Sequence, residues 1–328
     1  MYFSQYMNEW LYGEDGYYKN FKAIGRGGDF YTAVSTSPFF GASIANYLWK
    51  QIESGSIPRD ALLVEIGAHQ GHLICDMIQW LYSCDPTLIE SMRFAIVERQ
   101  LDVQEEQKRY IRDRFGSDVT VEHYRSLHEL HNPYAFVVSN EIFDAFPCQL
   151  LKDGKIAIVD NSSISWEDAP PALLQKVSKY HQTKGEVAVG YEEFALEISD
   201  SFEKCDFISF DYGEKYVRND FSIRIYKKHQ TLPLFDDEVI LSDEFKNSDI
   251  TYDVNFQNVI DSFQSAGFRL DSYETQARAL IRFGLIDMLE DFANQTTQDR
   301  YLREVDKIKT LISPTIMGDK FKLIHLKK

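Results

Sequence analysis

The sequence predicts an α/β fold built on a mostly parallel sheet. Short apolar runs alternate with longer amphipathic stretches along most of the chain, the pattern of strands joined by crossover helices. The clearest case is residues 62–71, LLVEIGAHQG, where an apolar run ends in an acidic residue and crosses a glycine turn into a helical stretch. With 328 residues and 44% hydrophobic content, the chain is long enough for one large core that carries insertions.

The first half of the chain predicts helices followed by the start of the sheet. Apolar residues at helical spacing predict a short helix over 3–12, and Pro38 opens a second predicted helix over 37–52. Six further elements follow in order: strand 61–66, helix 72–83, strand 93–98, helix 102–115, strand 119–123 and strand 135–139. Strands separated by helices in this way form a parallel sheet that is covered on both faces.

The second half is less regular. Short alternating runs around Asp153-Gly154 are typical of a hairpin, and we interpret 214–252 as an irregular excursion on the substrate side. The other elements bring the expected count to seven core strands: helix 192–203, strand 206–210, helix 256–266, strand 268–274, a helical stretch 276–311 and strand 321–326. The predicted domains are an amino-terminal helix and lid segment (1–32), a core (33–147 and 191–328) and an insertion (148–190).

Composition excludes several classes of function. The formal net charge of −16 argues against nucleic acid as a partner, because binding to phosphates depends on Lys and Arg. The four cysteines lack the C-x-x-C spacing of metal or redox sites, so we expect reduced thiols and no metal. No apolar run approaches about 18 residues, and the amino terminus lacks a basic segment followed by an apolar one. We therefore expect a cytoplasmic protein without membrane insertion.

The glycine turn narrows the choice of ligand. Glu65 lies at the end of the first strand, and Gly67 and Gly71 follow with G-x-x-x-G spacing. The next strand leads into Glu98. Ligands of open α/β sheets bind at the carboxyl ends of the strands. S-adenosylmethionine fits, because the glycines let the backbone approach the ligand and Glu98 can accept hydrogen bonds from both ribose hydroxyls. The sequence has neither the G-x-G-x-x-G of dinucleotide sites nor a G-x-x-x-x-G-K-[ST] phosphate loop.

Several segments together resemble the MidA family of class I methyltransferases, which is related to the mitochondrial protein arginine methyltransferase that assists assembly of respiratory complex I. The most specific is Asn140 to Pro147, NEIFDAFP. The others are Tyr6-Met7, Leu11-Tyr12, Gly16-Tyr17-Tyr18, Gly28-Asp29-Phe30-Tyr31-Thr32-Ala33, Phe40-Gly41, Glu65-Ile66-Gly67 with Gly71, Val97-Glu98, Asp211-Tyr212-Gly213, Asp249-Ile250-Thr251, Thr275-Gln276 and Gly284. The resemblance spans nearly the whole chain.

The resemblance implies a Rossmann-like class I methyltransferase fold with a seven-stranded sheet, S-adenosyl-L-methionine as cofactor, and methylation of an arginine in a protein substrate, a complex I-type subunit. The segment around Asp29, Tyr31 and Thr32 places an acid beside aromatic residues, and we expect a lid over the methionine end of the cofactor. Tyr212, after the fifth predicted strand, is either core packing or a substrate contact.

The predicted catalytic residues are Asn140, Glu141 and Asp144, which follow the fourth predicted strand. A guanidinium nucleophile needs a carboxylate that orients the planar cation and stabilises its charge. Paired carboxylate–guanidinium hydrogen bonds do both. The Asn140 amide can fix the plane of the nucleophile. The alternative for these residues is a structural one, in which they satisfy a strand-to-loop turn.

Two departures from the family pattern support a second hypothesis. His69 stands where the family usually has a glycine, and Val34-Ser35 replaces a usual Pro-Glu. A non-catalytic assembly or interaction factor with a degenerate cofactor pocket would tolerate both. A third hypothesis is a methyltransferase that acts on a small molecule, although the predicted insertion and excursion favour a macromolecular substrate.

Overall fold

A computed structural model describes residues 1–19, 32–227 and 230–328. The chain divides into two compact units, and each is assembled from three segments. The first unit comprises Met1–Phe30, Glu141–Ala195 and Tyr212–Ser265, and the second comprises Tyr31–Asn140, Leu196–Asp211 and Ala266–Lys328. This grouping joins the segment 148–190 to other parts of the chain, and the domain bounds given above stay a prediction.

The strands and helices of the described residues alternate most regularly in the second unit. The strands are β1 (Leu62–Ile66), β2 (Arg93–Val97), β3 (Val121–Tyr124), β4 (Asn132–Asn140), β5 (Cys148–Lys152), β6 (Lys155–Asp160), β7 (Ser163–Asp168), β8 (Lys184–Ala188), β9 (Phe202–Glu214), β10 (Arg224–Lys227), β11 (Gln230–Pro233), β12 (Asp249–Thr251), β13 (Val254–Asn255), β14 (Arg269–Thr275) and β15 (Phe321–Lys327). The α-helices are α1 (Phe3–Tyr12), α2 (Ala33–Thr36), α3 (Phe39–Glu53), α4 (His72–Cys84), α5 (Leu88–Ser91), α6 (Leu101–Phe115), α7 (Pro171–Ser178), α8 (Tyr191–Ser201), α9 (Leu241–Glu244), α10 (Phe256–Ser265), α11 (Gln276–Arg282), α12 (Leu285–Gln295) and α13 (Gln298–Ile312).

The main sheet of the second unit has the order β14-β15-β9-β4-β1-β2-β3. The strands β3, β2, β1, β4 and β9 are parallel, and β14 runs antiparallel to β15. All five residues of β1 are buried, as expected for a central strand covered on both faces. This arrangement confirms the predicted α/β fold: seven strands follow this order, and the two-residue strand β13 pairs with β9 as an eighth strand.

The register of the sheet brings three predicted site residues to one edge. Ile66, the last residue of β1, lies opposite Val97 in β2 and Ser139 in β4. The residues that follow these three positions are Gly67, Glu98 and Asn140. They share the carboxyl edge of the sheet next to the point where the strand order reverses, between β1 and β4, which is where open α/β sheets bind ligands.

A network of buried charges lies among β4, β9, β14 and β15 of the same sheet. Asp206 and His325 are 2% and 0% exposed, and the His325 ring lies between two carboxylates. Its Nε2 is 2.7 Å from Asp206 Oδ1 and its Nδ1 is 3.1 Å from Asp271 Oδ2. Tyr134 donates a hydrogen bond to Asp206 at 2.5 Å, and Lys327 lies within 3.5 Å of both carboxylates. Buried charges persist where they are paired in this way.

Two smaller sheets form in the first unit. One is antiparallel with the order β7-β6-β5-β8, and its β5–β6 hairpin turns at Asp153-Gly154, where both residues have positive φ, as predicted. The other has the order β11-β10-β12. The prediction of an irregular segment at 214–252 was therefore wrong, because strands of three or four residues are too short to show a clear period.

Two glycines shape the backbone at points that matter for the fold. Gly284 has a φ of 100° and separates α11 from α12, and the helical stretch predicted over 276–311 consists of α11, α12 and α13. Gly213 in β9 has a φ of 145°, and a Cβ there would lie 2.2 Å from the carbonyl oxygen of Val254, with which it pairs. Only glycine fits that close approach of two backbones.

Among the described helices, which leave out 20–31 and 228–229, none combines the length and the apolar character that a membrane span requires.

Candidate functional site

The turn between β1 and α4 is held by residues in the left-handed region. Gly67, His69 and Gly71 have φ values of 71°, 45° and 80°. Gly71 is the residue before the first turn of α4, and its N–H donates to the carbonyl of Ala68 at 2.7 Å. Glycine adopts this conformation without steric cost. The turn therefore brings main-chain groups and the N-terminus of a 13-residue helix to the ligand edge of the sheet.

Glu65 has a structural partner inside this turn. Its side chain is 3% exposed and accepts a hydrogen bond from the N–H of Ile74 at 2.9 Å. Burial raises the pKa of Glu65 to about 8, although the Ile74 hydrogen bond opposes the shift. The carboxyl group thus satisfies an otherwise unbonded amide in the first turn of α4. Its predicted contact with the cofactor stays a prediction.

Glu98 lies at the other side of the same edge, directly after β2. Its side chain is half-buried, and Oε1 accepts a hydrogen bond from the N–H of Gln100 at 2.9 Å. Burial raises the pKa of Glu98, whereas the Gln100 hydrogen bond lowers it. Gln104 donates to the Glu98 carbonyl at 2.7 Å. The hydrogen bond from α6 therefore holds the Glu98 backbone in place. The Glu98 carboxylate, at the end of β2, is suited to accept hydrogen bonds from a pair of hydroxyl groups.

The lid residues predicted from the sequence are only partly within the described chain. Asp29 and Tyr31 lie outside the described residues. Thr32 is buried and begins α2: its Oγ1 accepts from the N–H of Ser35 at 3.2 Å, and the Ser35 hydroxyl accepts from the N–H of Thr32 at 3.1 Å. This reciprocal capping occupies the Thr32 side chain at a helix start.

His69 follows the turn as a glycine would. Its carbonyl accepts a hydrogen bond from Gln107 Nε2 at 2.8 Å, so the backbone of the turn is tied to α6. The side chain is half-buried. A non-glycine residue in the left-handed region costs roughly 1–2 kcal/mol, and the fold accommodates it here without loss of the turn.

We expect Glu98→Ala to weaken binding of S-adenosylmethionine about tenfold, since a charge-assisted hydrogen bond to a ligand contributes about 1.5–3 kcal/mol. Calorimetric titration measures the affinity. Glu105→Ala removes an exposed carboxylate of α6 and is the matched control, with no expected change. Equal affinity of Glu98→Ala and the unchanged protein for S-adenosylmethionine would show that another residue contacts the ribose.

We expect His69→Gly to raise the free energy of unfolding by about 0.5–1 kcal/mol, because relief of the left-handed strain outweighs the extra chain entropy of glycine. Cofactor affinity should change less than about twofold, since the turn keeps its shape. Chemical denaturation and titration measure the two quantities. Binding by the variant alone would indicate a degenerate pocket in the natural chain and support the interaction-factor hypothesis.

The loop that follows β4 belongs to the first unit from Glu141 onward. Glu141 is half-buried and has a φ of 53°, an uncommon conformation for a residue with a side chain. Asp144 is 4% exposed, and its carbonyl accepts from the N–H of Tyr252 at 3.3 Å. Of the two predicted carboxylates in this loop, Glu141 is thus the more accessible.

Asp144 is bonded to Tyr212. The Tyr212 hydroxyl donates a short hydrogen bond to Asp144 Oδ2 and lies 2.6 Å from Thr251 Oγ1. Burial raises the pKa of Asp144, and the hydrogen bond from Tyr212 and the charge of Arg224 oppose this shift. The structure thus brings Asp144 and Tyr212 together, as members of one polar cluster in the first unit.

The cluster already holds a guanidinium. The Arg224 guanidinium carbon lies 4.7 Å from the centroid of the Tyr212 ring, and Nη1 is 2.7 Å from Asp253 Oδ1. Burial disfavours the charge on Arg224, but Tyr212, Asp253 and Tyr226 outweigh burial and raise its pKa. Aromatic stacking and carboxylate pairing are the two interactions that proteins use to hold a guanidinium.

Sequence reasoning missed Arg224 and Asp253 as cluster members and did not give Thr251 a role. The segment Asp249-Ile250-Thr251 was part of the family resemblance, which was the one available signal. The negative charges of Asp144 and Glu141 both raise the pKa of Tyr226, whose largest cause of shift is burial. Both predicted carboxylates thus affect the pKa of the same side chain, Tyr226.

Metal and thiol chemistry have little basis in these residues. Within 1–19, 32–227 and 230–328, no group of three or more His, Cys, Asp or Glu side chains is arranged to hold a metal ion. All four cysteines are free, and burial raises the pKa of Cys75 to about 12. A thiol with a raised pKa is a poor nucleophile.

A family of S-adenosyl-L-methionine-dependent methyltransferases matches residues 43–274. The chain belongs to this family. Membership of this family makes the protein an enzyme, a methyltransferase, and confirms S-adenosyl-L-methionine as its cofactor. The positive-φ turn at Gly67 and Gly71 and the carboxylate after β2 fit that cofactor.

The methyltransferase is similar to curated relatives over most of its length. It is 25% identical to the mitochondrial protein arginine methyltransferase NDUFAF7 of Xenopus laevis, over 98% of this chain and 80% of that protein. It is 27% identical to the NDUFAF7 homolog of Drosophila melanogaster, over 78% of this chain and 65% of that protein. These relatives agree with the resemblance found in the sequence.

The methyltransferase also shares its fold with a solved structure. A crystal structure of a Burkholderia thailandensis protein bound to S-adenosyl-homocysteine superposes with a TM-score of 0.85 at 23% identity, over 100% of this chain and 88% of that chain. The likeness shows that the fold is shared over all of this chain and 88% of the other chain.

Proposed function

We propose that this methyltransferase transfers the methyl group of S-adenosyl-L-methionine to an arginine nitrogen of a protein. The observation that carries the proposal is the alignment of 98% of the chain with a protein arginine methyltransferase. The family resemblance in the sequence suggests a complex I-type subunit as the substrate and assistance in its assembly as the role. The cytoplasmic location stays a prediction, since the relatives in Xenopus and Drosophila are named as mitochondrial.

On the cofactor side, we assign binding to the turn of Gly67 and Gly71 and to Glu98. The shared edge of β1, β2 and β4 supports this assignment, as does the half-buried state of the Glu98 carboxylate. When bound, S-adenosyl-L-methionine supplies an electrophilic methyl group on a sulfonium. Asn140, at the same edge, is assigned to orient the nucleophile. Asp29, Tyr31, Thr32 and Glu65 keep the binding roles predicted from the sequence.

On the arginine side, we assign the direct contact to Glu141. A guanidinium nitrogen that gains a methyl group must lose a proton, and a neighbouring carboxylate both stabilises the cation and accepts that proton. The half-buried position of Glu141 supports the assignment, because it leaves part of the side chain accessible. Glu141 comes directly after Asn140 in the chain, so the two predicted groups are covalent neighbours.

We assign Asp144 to positioning, through Tyr212. Its carboxylate is almost fully buried and accepts the Tyr212 hydrogen bond, so it orients the ring rather than meeting a substrate itself. The stacking of Arg224 on Tyr212 supports a substrate-side role for this ring, because the face of an aromatic ring can hold a guanidinium.

The test combines the full chain, S-adenosyl-L-methionine and a candidate complex I-type subunit, with mass spectrometry of the subunit. A mass increase of one or more methyl groups on an arginine is the expected result, and Arg→Lys at that position of the subunit should abolish it. Calorimetry with S-adenosyl-L-methionine and its demethylated product runs in parallel. Absence of cofactor binding would favour the interaction-factor hypothesis, and cofactor turnover without protein methylation would favour a small-molecule substrate.

A further inference from the structure

Three aromatic side chains form a surface cluster in the first unit, apart from the Tyr212 cluster. Trp166 of β7, Phe221 before β10 and Phe235 after β11 have ring centroids 4.7–6.3 Å apart. Phe235 is 43% exposed, and the other two are half-buried. We call these three residues the aromatic triad. Grouped apolar side chains at a protein surface are typical of a contact site for a partner.

The faces of these rings already attract cations. Lys184 Nζ lies 5.1 Å from the centroid of Phe221, and Lys152 Nζ lies 5.9 Å from that of Trp166. Both distances are within the range of a cation–π interaction. Because each lysine sits on a long flexible side chain, a guanidinium with a planar face can take its place on a ring.

The flanks of the aromatic triad are mainly acidic. Acidic residues lie near each ring in the chain: Asp168 on the Trp166 face of β7, Asp220 before Phe221, and Asp236, Asp237 and Glu238 after Phe235. The nearby lysines are fewer, and one of them, Lys184, is paired with Asp220 at 2.6 Å. An aromatic surface with an acidic rim complements a cationic partner.

We propose that the aromatic triad binds an arginine-bearing segment of the protein substrate. The guanidinium groups stack on the exposed ring faces, and the acidic rim attracts the segment electrostatically. The proposal rests on the proposed function, since it places a recognition surface for the substrate outside the reacting groups. It names the chemistry of the partner: a basic, extended segment rather than an acidic one.

The experiment measures binding of a fluorescein-labelled peptide with four arginines spaced by glycine and serine, against the same peptide with glutamine in place of arginine. Fluorescence anisotropy with the full chain gives both affinities. We expect Trp166→Leu with Phe235→Leu to weaken the arginine peptide about tenfold, since leucine keeps apolar bulk and removes the ring face. Tyr216→Ala, which removes an 80% exposed aromatic residue of the same unit, is the matched control and should leave binding unchanged.

A second variant tests the rim without touching the rings: D236N with D237N and E238Q should weaken the arginine peptide and flatten its salt dependence. Equal affinity of the triad variant and the unchanged chain would overturn the proposal, as would tighter binding of a glutamate peptide that depends on the triad. Methyl transfer and cofactor titration are read on the same samples. Triad-dependent peptide binding without methyl transfer to the candidate subunit would contradict the proposed function but would still support the recognition surface.

Discussion

Glu141→Gln should lower the rate of methyl transfer by about two to three orders of magnitude, the scale of a lost general base, while cofactor affinity changes less than about twofold. Glutamine keeps the shape of the side chain and the 53° φ of the turn but cannot pair with a guanidinium cation or accept its proton. Mass spectrometry of the substrate gives the rate, and calorimetry gives the affinity. A group that acts on the transition state produces this separation of rate from cofactor binding.

Asp144→Asn and Tyr212→Phe should each have a smaller effect on the same rate, because both act through the orientation of one ring. Glu193→Gln, an exposed carboxylate of α8, is the control and should retain full activity. Full transfer by Glu141→Gln and Asp144→Asn would remove both carboxylates from the mechanism. Loss of cofactor binding in either would reassign that residue to the cofactor pocket.

Asp206→Ala should lower the free energy of unfolding by about 2–6 kcal/mol, because two groups of the buried network each lose a hydrogen-bond partner at about 1–3 kcal/mol. The substitution leaves His325, fully buried, without its nearest carboxylate, and it removes the acceptor of the Tyr134 hydroxyl. Chemical denaturation measures the change. Asp306→Ala, which breaks an exposed pair with Lys309, should have little effect. Equal losses in the two variants would show that burial does not determine the strength of the Asp206 network.

The same network predicts loss of stability in acid. Burial raises the pKa of Asp206, but the hydrogen bonds from His325 and Tyr134 outweigh it, so the net pKa is lowered. The pKa of Asp271 is lowered chiefly by the His325 ring, whose Nδ1 lies 3.1 Å from Asp271 Oδ2. A lowered folded-state pKa gives stability that is present above the ordinary carboxyl pKa near 4 and is lost as the pH falls through the folded-state value. Asp206→Ala should flatten the stability profile below about pH 4, which denaturation at several pH values can measure.

The fold followed from the sequence because its evidence is local. Five-residue apolar runs and amphipathic helices carry their own period, so strands such as β1 and the order of elements around it could be predicted. The sheet topology then implied that Gly67, Glu98 and Asn140 share an edge, and the observed register agrees. Local sequence patterns, read segment by segment, were sufficient to predict the sheet and this group of edge residues.

The polar cluster of the first unit could not be predicted in the same way. Arg224 lies 80 residues after Asp144, on a four-residue strand whose period is too short to read. Its contact with Tyr212 depends on the pairing of three short segments, and no local pattern specifies such pairing. Glu65 illustrates the converse: the sequence marked it correctly as a strand-end carboxylate, but only the structure reveals that a main-chain amide of α4 uses its oxygen.

Gly213 bears on how active and inactive members of such a family are to be told apart. The carbonyl of Val254 leaves no space for a side chain there, so a lineage that abandoned methyl transfer would still be compelled to retain the glycine in order to fold. A glycine at this position therefore reflects a steric requirement of the fold and does not indicate whether the protein transfers methyl groups. Loss of activity would instead become visible at positions such as Glu141 and Glu98, whose half-buried side chains do not face the steric limit that fixes Gly213.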